Sequence, residues 1–578
     1  MNDNIIVSNG VNGSTGDYGL PPMPLAKMAE FIEGQAAPED LADLKTWYNQ
    51  HKAEHFGFTG NPKDLSQTGW GIIFAHDDRD HVAALKAALK PLLDLRQSQA
   101  EDNFHIFEGA DAYRPGETKL KFLARHGKGP EVVKPGEKVP YYVMIVASPE
   151  KISYQFQYQL DVQYGVGRLY FEKADGSPDF QAYENYARSV VAAETGAVKL
   201  PRQATFFGTM NANDQATELS VTHLIQPLYD LFKGKKSFGK EHNEDTDLSN
   251  NWQYNLFAKE QATKANLKEL LGGAQTPAML FTATHGMEFS QDDPRQLPHQ
   301  GALMCQDWPG PEKHKGKISQ DFYFAGDDLS HDAQLLGSVV FCFACYGAGT
   351  PLYDDFARQA FKKREAITPR PFVAQLPSRL LSHPNGGALA VIGHVERAWP
   401  YSFLWSGQGK NKLIQQTGTF ENLLERLFKN YPIGFATERF NERYGELATE
   451  LTSVLDDLEF GAQFSPQDVV GLWTAHNDAR DYIVLGDPAI RLAVAQTGEN
   501  STRPMLDTVT VSATVVTPAP TPTEAKVDSS SVDENKGALK HAFSVAEKSP
   551  IARINDADWA KTPDKVKQLL QELASLLK

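Results

Sequence analysis

A layered α/β fold built on mainly parallel sheets is what this sequence predicts, and three observations predict it. Apolar runs of strand length alternate with segments of helical spacing from residue 69 onward. The order is strand, helix, strand, which is the signature of a parallel unit. The same round then returns in altered form near residue 203.

In the first round, GWGIIFAHDD (69–78) is a buried-strand run ending in a polar turn. HVAALKAALKPLLDL follows as a helix with Val82, Leu85, Leu89 and Leu92 at helical spacing. YYVMIVASP (141–149) is the next strand, rich in β-branched and aromatic residues. VQYGVGRLYFE (162–172) carries a Gly-Val-Gly that reads as a turn; without a third glycine or a helix behind it, it is no dinucleotide fingerprint.

The second round opens with ATFFGTMNAND (204–214), strand then turn, and ELSVTHLIQPLYDLF, a helix with Leu224, Leu228 and Leu231 on one face. A polar loop and a short helix at 264–271 lead to the strand PAMLFTATHG (277–286). KPLLDL begins its Pro-Leu-Leu at Pro91, 91 − 77 = 14 residues after Asp77; QPLYDL reaches Pro227, 227 − 214 = 13 after Asp214. Two readings stay open: two ordinary amphipathic helices, or two related halves. In the second reading only the later half ends its strand in His-Gly, while the first ends in Ala147-Ser148 and is a non-catalytic partner.

The chain goes on with the strand LLGSVVFCFACYG (335–347), a helix around 372–382 and the strand GGALAVIG (386–393). TFENLLERLFKNYP and its neighbours up to Leu455 read as helical, and DYIVLGDPAIRLAV (481–494) closes the globular part. A Pro/Thr/Ser-rich linker follows. The last stretch has an apolar stripe through Val566, Leu569, Leu570, Leu573 and Leu577, an amphipathic helix that docks back or meets a regulatory partner.

Composition narrows the function. The 578 residues are 41% hydrophobic and 22% charged, ordinary for a globular chain and enough for three or four domains at roughly 150 residues each. Lys+Arg is 57 against Asp+Glu 73, a net charge of −16 that repels phosphate backbones, so no nucleic-acid partner is expected. The basic stretch KGKKSFGK (233–240) runs into EHNEDTD and reads as a solvated loop. Three cysteines, all between 305 and 345, cannot form a disulfide framework and suit a reducing compartment. The N-terminus lacks the basic and apolar regions of a signal peptide, and no apolar run approaches the ~20 residues that cross a bilayer. The expectation is a cytoplasmic protein without membrane contact.

Two segments at the C-terminal ends of predicted strands can carry chemistry, because loops converge on that edge of an open parallel sheet. One is Thr284-His285-Gly286; the other is Ala344-Cys345-Tyr346-Gly347. A thiolate nucleophile needs an adjacent base, since a free cysteine has a pKa of about 8.5. Histidine on one strand end and cysteine on the next supply that pair. Glycine beside the histidine lets a carbonyl approach backbone N–H groups, with the N–H of Gly286 and of Cys345 as oxyanion donors. Cys342 lies inside the apolar run and reads as a small buried hydrophobe. Cys305 and His314 lack a second paired knuckle, so no metal site is expected. No Gly-x-Ser-x-Gly, Walker loop or His-Glu-x-x-His occurs.

At these residues the sequence resembles the caspase–gingipain–separase superfamily of cysteine peptidases, in its gingipain-like and CHAT branch. The matching elements are the strand ending in His285-Gly286, the strand ending in Ala344-Cys345-x-Gly347, GGALAVIG at 386–393, and Leu485-Gly486-Asp487-Pro488. VGRLYF with YENYARSVV is similar to the end of a gingipain's first subdomain, and the similarity covers about 70–490. The resemblance implies a caspase-like α/β/α sandwich in two subdomains, with His285 as base and Cys345 as nucleophile in peptide-bond hydrolysis through a thioester. Members often work as a dyad, so no third residue is demanded.

It also implies a P1 pocket drawn from 211–214 and from HVERAW (394–399), where an acidic side chain would favour Arg or Lys. Asp214 reads either as that acid or as a helix N-cap. Glu396 is the other candidate, unless it pairs with Arg397 or faces solvent, and Trp399 is a pocket wall or core. The charged insert 310–328 reads as a lid or processing site. Some relatives carry structural calcium, though no EF-hand loop is present here, and no other cofactor is expected. The resulting organisation is an N-terminal extension (1–68), a non-catalytic α/β subdomain (69–200), a catalytic subdomain (201–495), a linker (496–537) and a C-terminal helical segment (538–578). The alternative function is a non-catalytic interaction scaffold on the same fold.

Overall fold

The computed structural model describes residues 5–6, 10–13, 16, 23–24, 58–234, 251–356, 365–406, 413–459 and 461–507. The chain groups into two compact units, 1–511 and 512–578. The C-terminal helix expected at 538–578 falls in the second unit, which lies outside the described residues.

Ten strands form one continuous sheet flanked by helices, an α/β sandwich. They are β1 (Trp70–Phe74), β2 (Phe104–Phe107), β3 (Tyr142–Val146), β4 (Gly165–Leu169) and β5 (Gln203–Gly208). After them come β6 (Gln253–Ala258), β7 (Met279–Ala283), β8 (Val339–Phe343), β9 (Ala390–His394) and β10 (Tyr482–Gly486). The order across the sheet is β2-β1-β3-β4-β10-β9-β8-β7-β5-β6. Each half therefore repeats one layout, β2-β1-β3-β4 and β6-β5-β7-β8, with parallel pairing inside it. β10 joins the halves: it runs antiparallel to β9 and meets β4 at Leu485↔Arg168.

Inner strands are buried on both faces, which is why WGIIF, YVMIV, MLFTA and VVFCF are continuous apolar runs rather than alternating ones. One hydrophobic core extends from Leu65 to Leu492 across both halves. The Leu-Gly-Asp-Pro element fastens them. Asp487 is buried, accepts from Trp70 Nε1 at 2.9 Å and from Arg96 Nε at 2.7 Å, and its own N–H donates to Tyr186 Oη at 2.6 Å.

The structure corrects several local readings. Gly165-Val166-Gly167 is not a turn but lies in β4. A Cβ on Gly167 would sit 2.1 Å from Gly486 O, so glycine is there for close strand approach. The first-round helix divides into Arg79–Ala88 and Lys90–Ala100, because Pro91 has no N–H to continue the ladder. At the matching proline of the second round, Pro227, the helix accommodates it through one π turn at Val221–Ile225. The polar loop ahead of 264–271 contains edge strand β6.

The loops leaving β3 and β8 meet at one rim of the sheet. Tyr154, beyond β3, donates to Phe372 O at 2.8 Å, and Phe372 pairs with Thr350, just past Cys345. From this rim grows a smaller four-stranded sheet, ordered Tyr323–Phe324, Leu303–Met304, Gly286–Glu288 and Gly10–Asn12.

Candidate active site

The ladder between β7 and β8 continues one step past both strands, with Thr284 N donating to Phe343 O at 3.1 Å. His285 and Ala344-Cys345 thus follow neighbouring strand ends on one rim. Gly286 is pressed against the nucleophile candidate. A Cβ there would come within 1.8 Å of Cys345 O and 2.8 Å of its N, an approach that only glycine permits.

His285 is fully buried, and its Nε2 pairs with Asp214 Oδ2 at 2.6 Å. Asp214 heads the helix Gln215–Ser220, where its Oδ1 accepts from Ala216 N at 3.2 Å and its Oδ2 from Thr217 Oγ1 at 2.9 Å. The N-cap reading of Asp214 is therefore what the local geometry adopts. The carboxylate is also buried and faces His285. Such an arrangement fixes the ring's orientation and tautomer, as the acid of a triad does. Trp308 meets the ring edge-on at 6.1 Å between centroids. Asn211 holds that loop by donating to Trp308 O at 2.8 Å and Cys305 O at 3.2 Å.

Cys345 is likewise fully buried. Its Sγ accepts from Ala398 N at 3.2 Å, and burial pushes the thiol well above its ordinary pKa. Tyr346 follows with φ +59°, a left-handed conformation held by its N–H donating to Glu396 O at 2.7 Å. For a non-glycine residue that costs roughly 1–2 kcal/mol, and such strain gathers at functional turns.

A buried ionic cluster adjoins the sulfur. Arg397 lies 3.0 Å from both Asp354 and Glu396 and 3.4 Å from Glu288, whose carboxylate also accepts from Tyr346 Oη at 3.4 Å. Burial raises the carboxyl pKa of Glu288, and that of Glu396 strongly, against the pull of Arg397. Glu396 is thus paired with its neighbour Arg397. Trp399 belongs to core, its ring tilted against Phe356 at 4.7 Å between centroids.

The loop carrying both is pinned by Asp478, on the helix Pro466–Arg480. It accepts from Trp399 N at 2.8 Å and from Ser402 Oγ. Neither Asp478 nor Trp308 carries a motif that singles it out in the sequence. The insert 310–328 packs inward at Ile318 and contains the strand Tyr323–Phe324 and a 3₁₀ turn at Gly326–Asp328. Cys342 is buried within β8, its thiol pushed up to about 12 by desolvation, and Cys305 is buried as well. Among the described residues no group of three or more His, Cys, Asp or Glu side chains is placed to hold a metal ion. No helix there is long and apolar enough to cross a membrane.

No family model matches the sequence, and no curated protein matches it. Among solved structures, a chain named "Structure of Protease" is similar over 74% of this chain and 80% of its own, at 12% identity and a TM-score of 0.38. A likeness at that level defines neither fold nor chemistry.

Proposed function

We propose that the protein is a cysteine endopeptidase acting on polypeptides in a reducing compartment. Cys345 is the nucleophile and His285 the base. With Nε2 engaged by Asp214, proton transfer falls to Nδ1. The thiolate attacks the peptide carbonyl, forming a C–S bond while the C–N bond breaks, and the imidazolium gives its proton to the leaving amine. Water then hydrolyses the thioester and returns the proton. The N–H groups of Gly286 and Cys345 serve the oxyanion. The reading rests chiefly on one observation: a buried Asp214–His285 pair whose next residue, Gly286, packs against the backbone of Cys345.

Preference for Arg or Lys at P1 belongs to the same proposal, carried now by Glu396, Glu288 and Asp354 rather than Asp214. Glu396, Glu288 and Asp354 all lie within 3.4 Å of Arg397, and a substrate cation would add charge-assisted hydrogen bonds to this acidic group.

Burial of Sγ favours a second reading, a non-catalytic scaffold on the same fold. An unbiased peptide library, given to wild type and Cys345→Ala, separates them. Cleavage by the wild type alone, clustered after Arg and Lys, supports the peptidase. Cleavage persisting in Cys345→Ala sinks the assignment, and clustering after Asp or Leu sinks the basic P1.

A further inference from the structure

The sulfur is covered by the chain's own N-terminal segment. Residues Gly10–Asn12 pair in parallel with Gly286–Glu288, in the register Gly10↔Gly286, Val11↔Met287, Asn12↔Glu288. Gly13 extends the contact. Its N–H donates to Glu288 O at 2.5 Å, and its carbonyl accepts from Ile318 N at 3.1 Å and Arg295 Nη2 at 2.9 Å. Val11 is 1% exposed, in an apolar pocket of Met287, Phe289, Met304, Trp308 and Ile318.

Gly10 itself lies on the nucleophile. A Cβ built there would stand 3.1 Å from Cys345 Sγ, 3.3 Å from its Cβ and 3.5 Å from Glu288 Oε2. Any larger residue would press on the sulfur. The segment uses what strand-adding peptides use: main-chain hydrogen bonds along an edge, and a pocket for an alternate side chain. It also occupies the space beside Sγ that a scissile peptide needs.

We propose that residues 10–13 are a built-in occupant of the peptide-binding cleft, an intramolecular inhibitor that must leave before a substrate reaches Cys345. The proposal rests on the peptidase reading for its consequence, and on geometry alone for the cover. The external ligand of this edge is then an extended peptide that enters parallel to Gly286–Glu288 and sets an apolar side chain in the Val11 pocket. A tethered occupant acts at a local concentration in the millimolar range, so the open fraction limits the apparent activity. Leaving also returns water to the thiol, whose raised pKa comes mainly from desolvation.

The test uses the full chain with Gly10→Val, which presses on the sulfur, and Val11→Asp, which empties the pocket. The readouts are iodoacetamide labelling of Cys345 by mass spectrometry and cleavage of a fluorogenic peptide. Both variants are expected to raise Cys345 labelling at least tenfold and cleavage in proportion. The hexapeptide Ser-Asn-Gly-Val-Asn-Gly, added in trans to Val11→Asp, then slows both again. Folded variants that label no faster than wild type overturn the proposal. If both variants fail to fold, Gly10→Cys decides: a disulfide to Cys345 under mild oxidant supports the cover, and its absence overturns it. Labelling released without any cleavage leaves the cover standing and overturns the peptidase reading. Cleavage by the wild type equal to that of both variants does the reverse.

Discussion

Strands β1–β4 and β5–β8 share one order, and their registers align Ser148 of the first half with His285 of the second, and Phe171 with Cys345. What differs is how each rim is filled. In the first half Arg168, fully buried on β4, donates to Ala147 O, Ile152 O, Ser153 O and Gln157 Oε1 at 2.8–3.2 Å. Those bonds tie down the loop that follows β3. The aligned residue on β8 is Cys342, small and apolar, which leaves the rim beside it to His285 and Cys345. The acids differ likewise. Asp77 is about half exposed beside His76, whereas Asp214 is enclosed against His285. The same scaffold thus serves as a structural buttress on one side and a candidate reaction centre on the other, depending on what fills the strand ends.

The largest contrast is expected at the nucleophile. In the Val11→Asp background, Cys345→Ala lowers peptide cleavage by about 10³-fold or more, while Ser148→Ala changes it less than about twofold. Steady-state kinetics on one fluorogenic peptide measures both. Asp214→Asn comes next, with a fall of about 10²–10⁴-fold in kcat at nearly unchanged KM, because the ring loses its orienting acid. Asp77→Asn is expected to be silent in the same assay, and equal effects at the two positions would erase the distinction between the rims.

Stability gives the converse contrast. Arg168→Met leaves rim carbonyls without donors and is expected to cost about 3–5 kcal/mol in urea unfolding. Cys342→Ala is expected to cost only about 1 kcal/mol. An effect of opposite sign concerns Lys119, buried in the first half, whose pKa desolvation lowers to about 7. Below pH 7 both folded and unfolded chains hold that proton, so folding carries the full cost of burying the charge. Between pH 7 and the ordinary lysine value only the unfolded chain holds it, and the cost fades as pH rises. Lys119→Met therefore stabilises by on the order of 3 kcal/mol at pH 6 and by almost nothing near pH 10. Unfolding curves across that range check the sign.

Inner strands were legible in the sequence because burial on both faces writes them as unbroken apolar runs. Edge strands were not. FHIF and QYNLFA are only partly buried and lack that pattern, so β2 and β6 went unread. Gly10–Asn12 was hidden for a related reason: Gly-Val-Asn has little strand propensity, and pairing with Gly286–Glu288 supplies what local preference does not. Asp214 shows the limit for sites. Its capping bond is local and could be anticipated, but its bond to His285 spans 71 residues and depends on the close of β7. The pairing of Glu396 with Arg397 was open to sequence reasoning because the two are adjacent.

The central claim is that sulfur and imidazole work as one unit at the second rim. The pH profile of alkylation at Cys345, in Val11→Asp with and without His285→Ala, tests it most directly. The account predicts fast labelling near neutral pH that shifts upward by more than about one pH unit when the histidine is lost, with Cys305 and Cys342 unlabelled throughout. A profile indifferent to His285 would contradict it.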